Sequence, residues 1–181
     1  MVKIICAGYG GQGVMATGLI LANAGMAQNK NILWLSSYGA EMRGGSANCS
    51  VTISEEDIAS PYIKQADILL ALNDVSIDKF ERKILPKGFL ILNSSIVDKT
   101  RQFREDIRIV RVDATDIANK ASNPRGANIV MLGALAQFTD LFDVLFLKEN
   151  IDRYFIKNGK YIPNNAVCFE QGVEQSDWLR K

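Results

Sequence analysis

A glycine-rich segment near the beginning of the sequence has the residue types and the spacing of a phosphate-binding loop. The candidate binding residues are the members of a G-x-G-x-x-G pattern: Gly8, Gly10, Gly11, Gln12 and Gly13. Free backbone N–H groups in such a loop, and at the N-terminus of a helix that follows it, can bind phosphate oxygens. The segment is therefore predicted to bind a phosphate-bearing ligand. The alternative is a glycine-rich turn that serves only packing.

The residues on either side of the loop agree with this prediction. An apolar, β-branched run over 2–7 predicts a buried strand, and small and apolar residues at helical spacing over 14–28 predict a helix. In such a unit the first glycine permits a tight turn, the second lets the backbone approach a phosphate, and the third lets the helix pack on the strand. A second buried strand predicted over 31–36 completes a βαβ unit and implies parallel strands.

The second strand lacks the residue that a nicotinamide dinucleotide site requires. In such sites an acidic side chain roughly 20 residues beyond the loop, at the end of the second strand, binds the ribose hydroxyls. Here the strand ends in Ser36, which is followed by Ser37, and the first acidic residue of the chain is Glu41. NAD is therefore not the expected ligand of the loop.

A polar, glycine-bearing stretch over 37–46 follows the second strand. It would leave the carboxyl end of that strand beside the glycine loop, where open α/β sheets bind ligands. Glu41, Arg43 and Gly44 are the candidate binding residues of this stretch. Arg43 lies next to two glycines and is suited to fix an anionic group. The alternative is a solvent-exposed arginine that pairs with Glu41.

Two asparagines are further candidates at the same edge of the sheet. Asn128 begins an apolar helix predicted over 128–141, and Asn73 follows a strongly buried strand predicted over 67–72. Each could face the cleft beside the glycine loop or could cap the N-terminus of a helix. We take Asn128 as a candidate ligand-binding residue and leave both alternatives open.

The overall composition is that of an ordinary globular protein, and the lack of histidine leaves no serine–base or cysteine–base arrangement. The chain has 181 residues, 48% of them apolar, and a formal net charge of +1. One domain over 1–181 is expected, without affinity for nucleic acid and without a membrane span. There is no histidine, and Cys6, Cys49 and Cys168 are far apart, so the chain alone is expected to hold no metal ion and no iron–sulfur cluster. Three scattered thiols favour a reducing cytoplasm.

The order of the predicted elements defines the fold class. Further strands are predicted over 47–54, 67–72, 89–92 and 107–112, and further helices over 76–84, 115–121, 147–157 and 164–178. Strands that alternate with helices form a sheet with helices on its faces. We therefore predict a three-layer α/β/α Rossmann-like domain that has a mostly parallel sheet and a helical C-terminal segment.

Three motifs together resemble the gamma subunit of 2-oxoacid:acceptor oxidoreductases. They are the glycine loop, the segment Y-G-A-E-M-R-G-G-S-A-N-C over 38–49, and the segment N-I-V-M-L-G-A over 128–134. The resemblance covers nearly the whole chain. The second segment is most similar to the 2-oxoglutarate type, and the implied fold is that of domain III of pyruvate:ferredoxin oxidoreductase.

The resemblance implies that the reaction is divided among several subunits. Companion alpha and beta subunits would carry thiamine diphosphate and oxidatively decarboxylate 2-oxoglutarate to succinyl-CoA. A ferredoxin-like delta subunit with iron–sulfur clusters would pass the electrons to ferredoxin or flavodoxin. This chain would be structural, would contact CoA and would be inactive alone. The alternatives are a complex for pyruvate, a branched-chain 2-oxoacid or indolepyruvate, and a stand-alone nucleotide-binding module.

Overall fold

The computed structural model describes residues 1–38 and 46–178, and within them the chain forms seven β-strands and six α-helices. The strands are β1 (Val2–Tyr9), β2 (Asn31–Tyr38), β3 (Ser46–Ser54), β4 (Ala66–Ala71), β5 (Ile84–Asn93), β6 (Arg108–Val112) and β7 (Asp177–Trp178). The helices are α1 (Val14–Ala27), α2 (Asp74–Phe80), α3 (Ala114–Lys120), α4 (Ala127–Phe138), α5 (Val144–Lys157) and α6 (Asn164–Glu174). None of these six helices has both the length and the apolar character needed to cross a membrane.

All seven strands belong to one sheet, in the order β2-β3-β1-β4-β5-β6-β7. β1, β4, β5 and β6 pair in parallel, whereas β3 is antiparallel to both of its neighbours and β7 is antiparallel to β6. Because β2 thus points the same way as β1, the predicted α/β fold with a mostly parallel sheet is confirmed. The strands of the βαβ unit are not adjacent, however, because β3 returns from β2 and occupies the position between them.

The side chains of the central strands alternate between the two faces of the sheet. Ile4 and Cys6 of β1 pack on the side that α1, α4 and most of the other helices cover. Ile5 and Ala7 pack on the opposite side, against α2 and coil residues. The predicted three layers are therefore present but unequal, since α2 has only seven residues.

The last helix is shorter than the sequence predicted. α6 ends at Glu174 instead of continuing to Trp178, because residues 177–178 pair with β6 as strand β7. The Trp178 ring lies against Phe89 and Phe138, with centroid separations of 5.9 Å and 6.0 Å. Aromatic ring contacts and pairing with β6 at the edge of the sheet thus replace the final turn of helix.

The turn predicted at 86–88 lies within a strand instead of between two elements. β5 begins at Ile84, and its register against β4 shifts between Ala66 and Ile68. Lys87 has a φ of 65°, so the turn residues form a local irregularity in a continuous strand.

Helices α4 and α6 approach each other closely enough for their backbones to touch. A Cβ atom on Gly133 of α4 would lie 2.2 Å from the carbonyl oxygen of Phe169. A Cβ atom on Gly172 of α6 would lie 2.1 Å from the carbonyl oxygen of Val130. Because the obstacle in both cases is backbone, no side-chain rotation can relieve the overlap. These two glycines therefore set the distance at which α6 covers α4.

We predict that Gly172→Ala destabilises the protein by about 1–3 kcal/mol, because the added methyl group must push the two helices apart. The matched control is Gly25→Ala in α1, where the added Cβ would meet at 2.4 Å only the Cδ1 tip of Ile32, which can rotate away. Urea unfolding of both variants measures the difference. A loss of stability in Gly25→Ala as large as that in Gly172→Ala would contradict this explanation.

Candidate functional site

The glycine loop is a tight turn between β1 and α1. The strand ends at Tyr9, and the backbone N–H of Gln12 donates to the carbonyl oxygen of Tyr9 at 3.2 Å. Gly11 and Gly13 have φ values of 95° and 79°, in the left-handed region that residues with a Cβ atom rarely adopt. The glycines at these two positions therefore allow the chain to reverse and start a helix within four residues.

Gln12 links this turn by a hydrogen bond to Asn73, which follows the neighbouring strand β4. Its Oε1 atom accepts hydrogen bonds from the backbone N–H of Tyr9 at 2.6 Å and from Nδ2 of Asn73 at 3.1 Å. The Oδ1 atom of Asn73 accepts from the backbone N–H of Ser76 at 2.9 Å and so caps α2. The capping alternative for Asn73 is thus correct, and the same side chain also holds the glycine loop. Gln12, predicted as a binding residue, directs its carbonyl oxygen to the protein.

Asn128 contacts the other end of the turn. Its Nδ2 atom donates to the carbonyl oxygen of Gly13 at 3.3 Å, and a Cβ atom on Gly13 would lie 2.6 Å from Asn128 Cγ. The N-cap position of α4 is occupied by Gly126, so the capping alternative for Asn128 is wrong. The buried Asn128 side chain instead joins the start of α4 to the start of α1.

Two helix N-termini therefore meet at the carboxyl edge of the sheet without side chains that neutralise them. α1 begins after Gly13 and α4 after Gly126; neither has a side-chain cap, and neither has an acidic residue in its first turn. The chain carries no charged residue between Lys3 and Lys30. The positive end of each helix dipole favours an anion at such a position.

The remaining predicted glycines differ in their surroundings. Gly8 is buried, and a Cβ atom there would lie 2.7 Å from Gln12 Oε1 and 3.0 Å from Leu72 Cβ. Gly10 and Gly11 are exposed, and a Cβ atom on Gly11 would meet nothing within 4 Å. Gly8 is thus a packing residue, whereas Gly10 and Gly11 leave backbone at the surface where a ligand could approach it.

The sequence alone did not identify the contribution of Thr17. Its backbone N–H and its Oγ1 atom both donate to the carbonyl oxygen of Gly13, at 2.9 Å and 3.0 Å. The four-residue spacing between the last glycine of the motif and this buried threonine was the available signal. Together with Asn128, Thr17 satisfies the Gly13 carbonyl at the position where the helix begins.

Glu41, Arg43 and Gly44 lie outside the described residues. The strand residues that flank them are described, and in the sheet Tyr38 is paired with Ala47 and Ser46 with Tyr9. The two described residues that flank positions 39–45 therefore lie at the carboxyl edge of the sheet, Ser46 next to β1 and Tyr38 one strand further away on β2.

A broad groove of about 830 Å³ lies at the opposite, amino edge of the sheet. It is lined by residues that include Met1, Glu55, Lys87 and Asp140. Among the predicted site residues that the structure describes, Gly8, Gly10, Gly11, Gln12, Gly13 and Asn128, none lines the groove. The glycine loop is therefore not part of this large concavity.

Comparison with protein families identifies the chain at the level of family. A family model described as pyruvate ferredoxin/flavodoxin oxidoreductase matches residues 3–175. The chain belongs to this family. The match includes the glycine loop, the segment over 38–49 and Asn128, so the resemblance that the sequence motifs indicated is confirmed.

This chain aligns with only part of some family members and with nearly the full length of others. The ketoisovalerate oxidoreductase subunit VorA of Methanothermobacter thermautotrophicus is 36% identical over 99% of this chain, which spans 37% of that relative. The 2-oxoglutarate synthase subunit KorC of Methanocaldococcus jannaschii is 31% identical, with 95% of this chain and 92% of that protein aligned. The solved gamma subunit of a keto/oxoacid ferredoxin oxidoreductase from Geobacter sulfurreducens has a TM-score of 0.80 and 26% identity, covering 96% of this chain and 97% of that chain.

We predict that Gln12→Ala loosens the glycine loop, because the backbone N–H of Tyr9 and the amide of Asn73 both lose their acceptor. Loss of a hydrogen bond worth about 1 kcal/mol should speed amide exchange at Tyr9 about five-fold. Gln12→Glu keeps an acceptor for both donors and should exchange like the parent protein.

Hydrogen exchange of Tyr9, followed by NMR, separates these variants. Gln28→Ala, an exposed glutamine at the other end of α1, is the matched control and should leave Tyr9 unchanged. Equal exchange at Tyr9 in Gln12→Ala and in the parent protein would show that Gln12 does not hold the loop.

Proposed function

We propose that this chain is the gamma-type subunit of a multi-subunit 2-oxoacid oxidoreductase and that its glycine loop binds the nucleotide end of CoA. The observation that carries the proposal is the meeting of two uncapped helix N-termini, of α1 and α4, beside exposed glycine backbone. A pyrophosphate is an anion of the size and charge that such a surface stabilises. Membership in the pyruvate ferredoxin/flavodoxin oxidoreductase family supports the reaction class.

The proposed reaction places the chemistry in partner subunits. Alpha and beta subunits with thiamine diphosphate decarboxylate the 2-oxoacid and transfer the acyl group to CoA. A ferredoxin-like delta subunit with iron–sulfur clusters carries the electrons to ferredoxin or flavodoxin, and the assembly is cytoplasmic. The composition of this chain fits a supporting role, since it has no histidine and only three cysteines.

Binding CoA through its nucleotide end would aid the reaction at its other end. Contacts to phosphates that do not react supply binding energy, which holds the thiol beside the acyl group on the partner subunit. Arg43 lies three residues before Ser46, which is paired with Tyr9 at the glycine loop, and we propose that it provides a fixed positive charge for a CoA phosphate. Gly10, Gly11 and the start of α4 near Asn128 would provide the neutral part of the site.

We propose 2-oxoglutarate as the substrate, with succinyl-CoA as the product. The amino-acid sequence of the segment around Arg43 supports this choice. The alignment with the 2-oxoglutarate synthase subunit KorC also supports it, because it covers nearly all of both chains. A branched-chain 2-oxoacid is the second candidate, because the ketoisovalerate oxidoreductase subunit VorA has the higher identity, 36%.

We expect the complex purified with its native partner subunits to turn over 2-oxoglutarate faster than pyruvate, 2-oxoisovalerate or indolepyruvate. The four acids should be compared on one preparation at equal concentration, with CoA saturating and a viologen dye as electron acceptor. A faster rate with 2-oxoisovalerate would show that the substrate is a branched-chain 2-oxoacid and not 2-oxoglutarate, without contradicting the assignment as a gamma subunit. Purification of the chain without thiamine-containing partners would contradict the assignment itself.

Arg43→Ala should raise the KM for CoA about ten- to hundred-fold, since one charge-assisted phosphate contact is worth about 1.5–3 kcal/mol. Decarboxylation in the absence of CoA should change little. Arg153→Ala, which removes an exposed arginine paired with Glu149 on α5, is the matched control and should leave the KM for CoA unchanged.

The measurement requires intact complex isolated by gel filtration after each substitution. If Arg43 only holds subunits together, Arg43→Ala would reduce the yield of complex, and the assembled fraction would keep the normal KM. That outcome would refute the CoA contact.

A further inference from the structure

Two of the three cysteines lie directly opposite each other in the centre of the sheet. Cys6 of β1 is paired with Cys49 of the antiparallel strand β3. Both are 1% exposed and belong to the core on the α1 side of the sheet. Directly opposed residues in antiparallel strands have Cα atoms about 4.5–5.5 Å apart. That separation lies within the range of about 4.4–6.8 Å that a disulfide bond spans.

The fold provides room for the Cys49 sulfur at the base of the glycine loop. Its Sγ atom lies 3.4 Å from the carbonyl oxygen of Val14, the first residue of α1. A Cβ atom on Gly18, one turn further along the helix, would lie 2.4 Å from the same sulfur. The thiol therefore occupies a space that α1 leaves free only because Gly18 has no side chain.

The two thiols also differ in acidity. A hydrogen bond to Cys49, followed by burial, raises the pKa of the Cys6 thiol. The same hydrogen bond from Cys6 lowers the pKa of Cys49. The thiolate therefore forms more readily at Cys49 than at Cys6, which makes Cys49 the attacking thiol of the pair.

We infer that Cys6 and Cys49 form a reversible intrachain disulfide when the protein meets a small peroxide. The Cys49 thiolate attacks one oxygen of hydrogen peroxide, so that an S–O bond forms, the O–O bond breaks and the departing hydroxide takes up a proton as water. The Cys6 sulfur then attacks the Cys49 sulfenic acid; the S–S bond forms, and the hydroxyl leaves as water with the Cys6 proton. Two thiols lose two electrons, and one peroxide becomes two waters.

The bond would act on the part of the chain that carries the glycine loop. Cys6 precedes Gly8 by two residues, and the hydrogen bond from Cys49 to Val14 lies immediately after Gly13. Formation of the disulfide removes the hydrogen bond from Cys49 to Val14 and links β1 covalently to β3, two residues before Gly8. Oxidation would therefore alter the start of α1 while preserving the pairing of the strands.

The test uses the full chain, reduced and then exposed to hydrogen peroxide, with remaining thiols alkylated after unfolding and mapped by mass spectrometry. Cys168 is the internal control, because it is 0% exposed and its described contact is the amide of Asn123 at 3.6 Å. We expect Cys6 and Cys49 to disappear together into one cross-linked species that is lighter by two hydrogen atoms. Cys168 should remain alkylatable or gain oxygen, and dithiothreitol should restore the pair.

The cross-link should also be visible in thermal unfolding. It joins positions that are 43 residues apart, 6 and 49, which restricts the unfolded chain and should raise the Tm by about 5–10 °C. Cys6→Ser and Cys49→Ser should each abolish this rise and the cross-linked peptide. Oxygen addition at all three cysteines without a cross-link, or disulfides only between molecules, would overturn the inference.

Discussion

The carboxyl edge of the sheet depends on the left-handed backbone conformation of Gly13. With a φ of 79° at this residue, the chain passes from the turn into α1 without a capping side chain and leaves the first N–H groups of the helix uncapped. The same glycine gives Asn128 the space to reach its carbonyl oxygen. One backbone conformation thus fixes where α1 lies on β1 and β3, where α4 starts, and how the two helix N-termini come together.

The parts of this arrangement that arise from local interactions could be predicted from the sequence. The strand, the glycine turn and the helix follow from hydrophobic periodicity and from residues that tolerate positive φ, and their order along the chain indicated the α/β fold. The roles of Gln12 and Asn128 could not be predicted in this way. Their hydrogen bonds join positions 61 and 115 residues apart, so they depend on how the strands and helices are arranged in space.

The sheet topology shows the same division between local and distant determinants. Alternating apolar residues indicated that 47–54 is a strand, but its place between β1 and β2 is decided by pairing with both neighbours. The local sequence predicts a last helix that extends to Trp178, whereas the ring of Trp178 contacts Phe89 and Phe138 on other elements. The positions of Glu41, Arg43 and Gly44 remain sequence predictions, since only the strands on either side of them are described.

The insertion of β3 has a consequence for the order in which the chain folds. β2 and β3 are separated by seven residues, over 39–45, so closing this hairpin costs little chain entropy. β1 pairs with β3 on one side, so this pairing requires that the β2–β3 hairpin has formed. On its other side β1 pairs with β4, and the paired residues Ile4 and Ile68 are 64 positions apart in the sequence. Contacts between distant residues form slowly for the same entropic reason. We therefore expect the glycine turn, although it lies near the start of the sequence, to take its final shape among the last parts of the sheet.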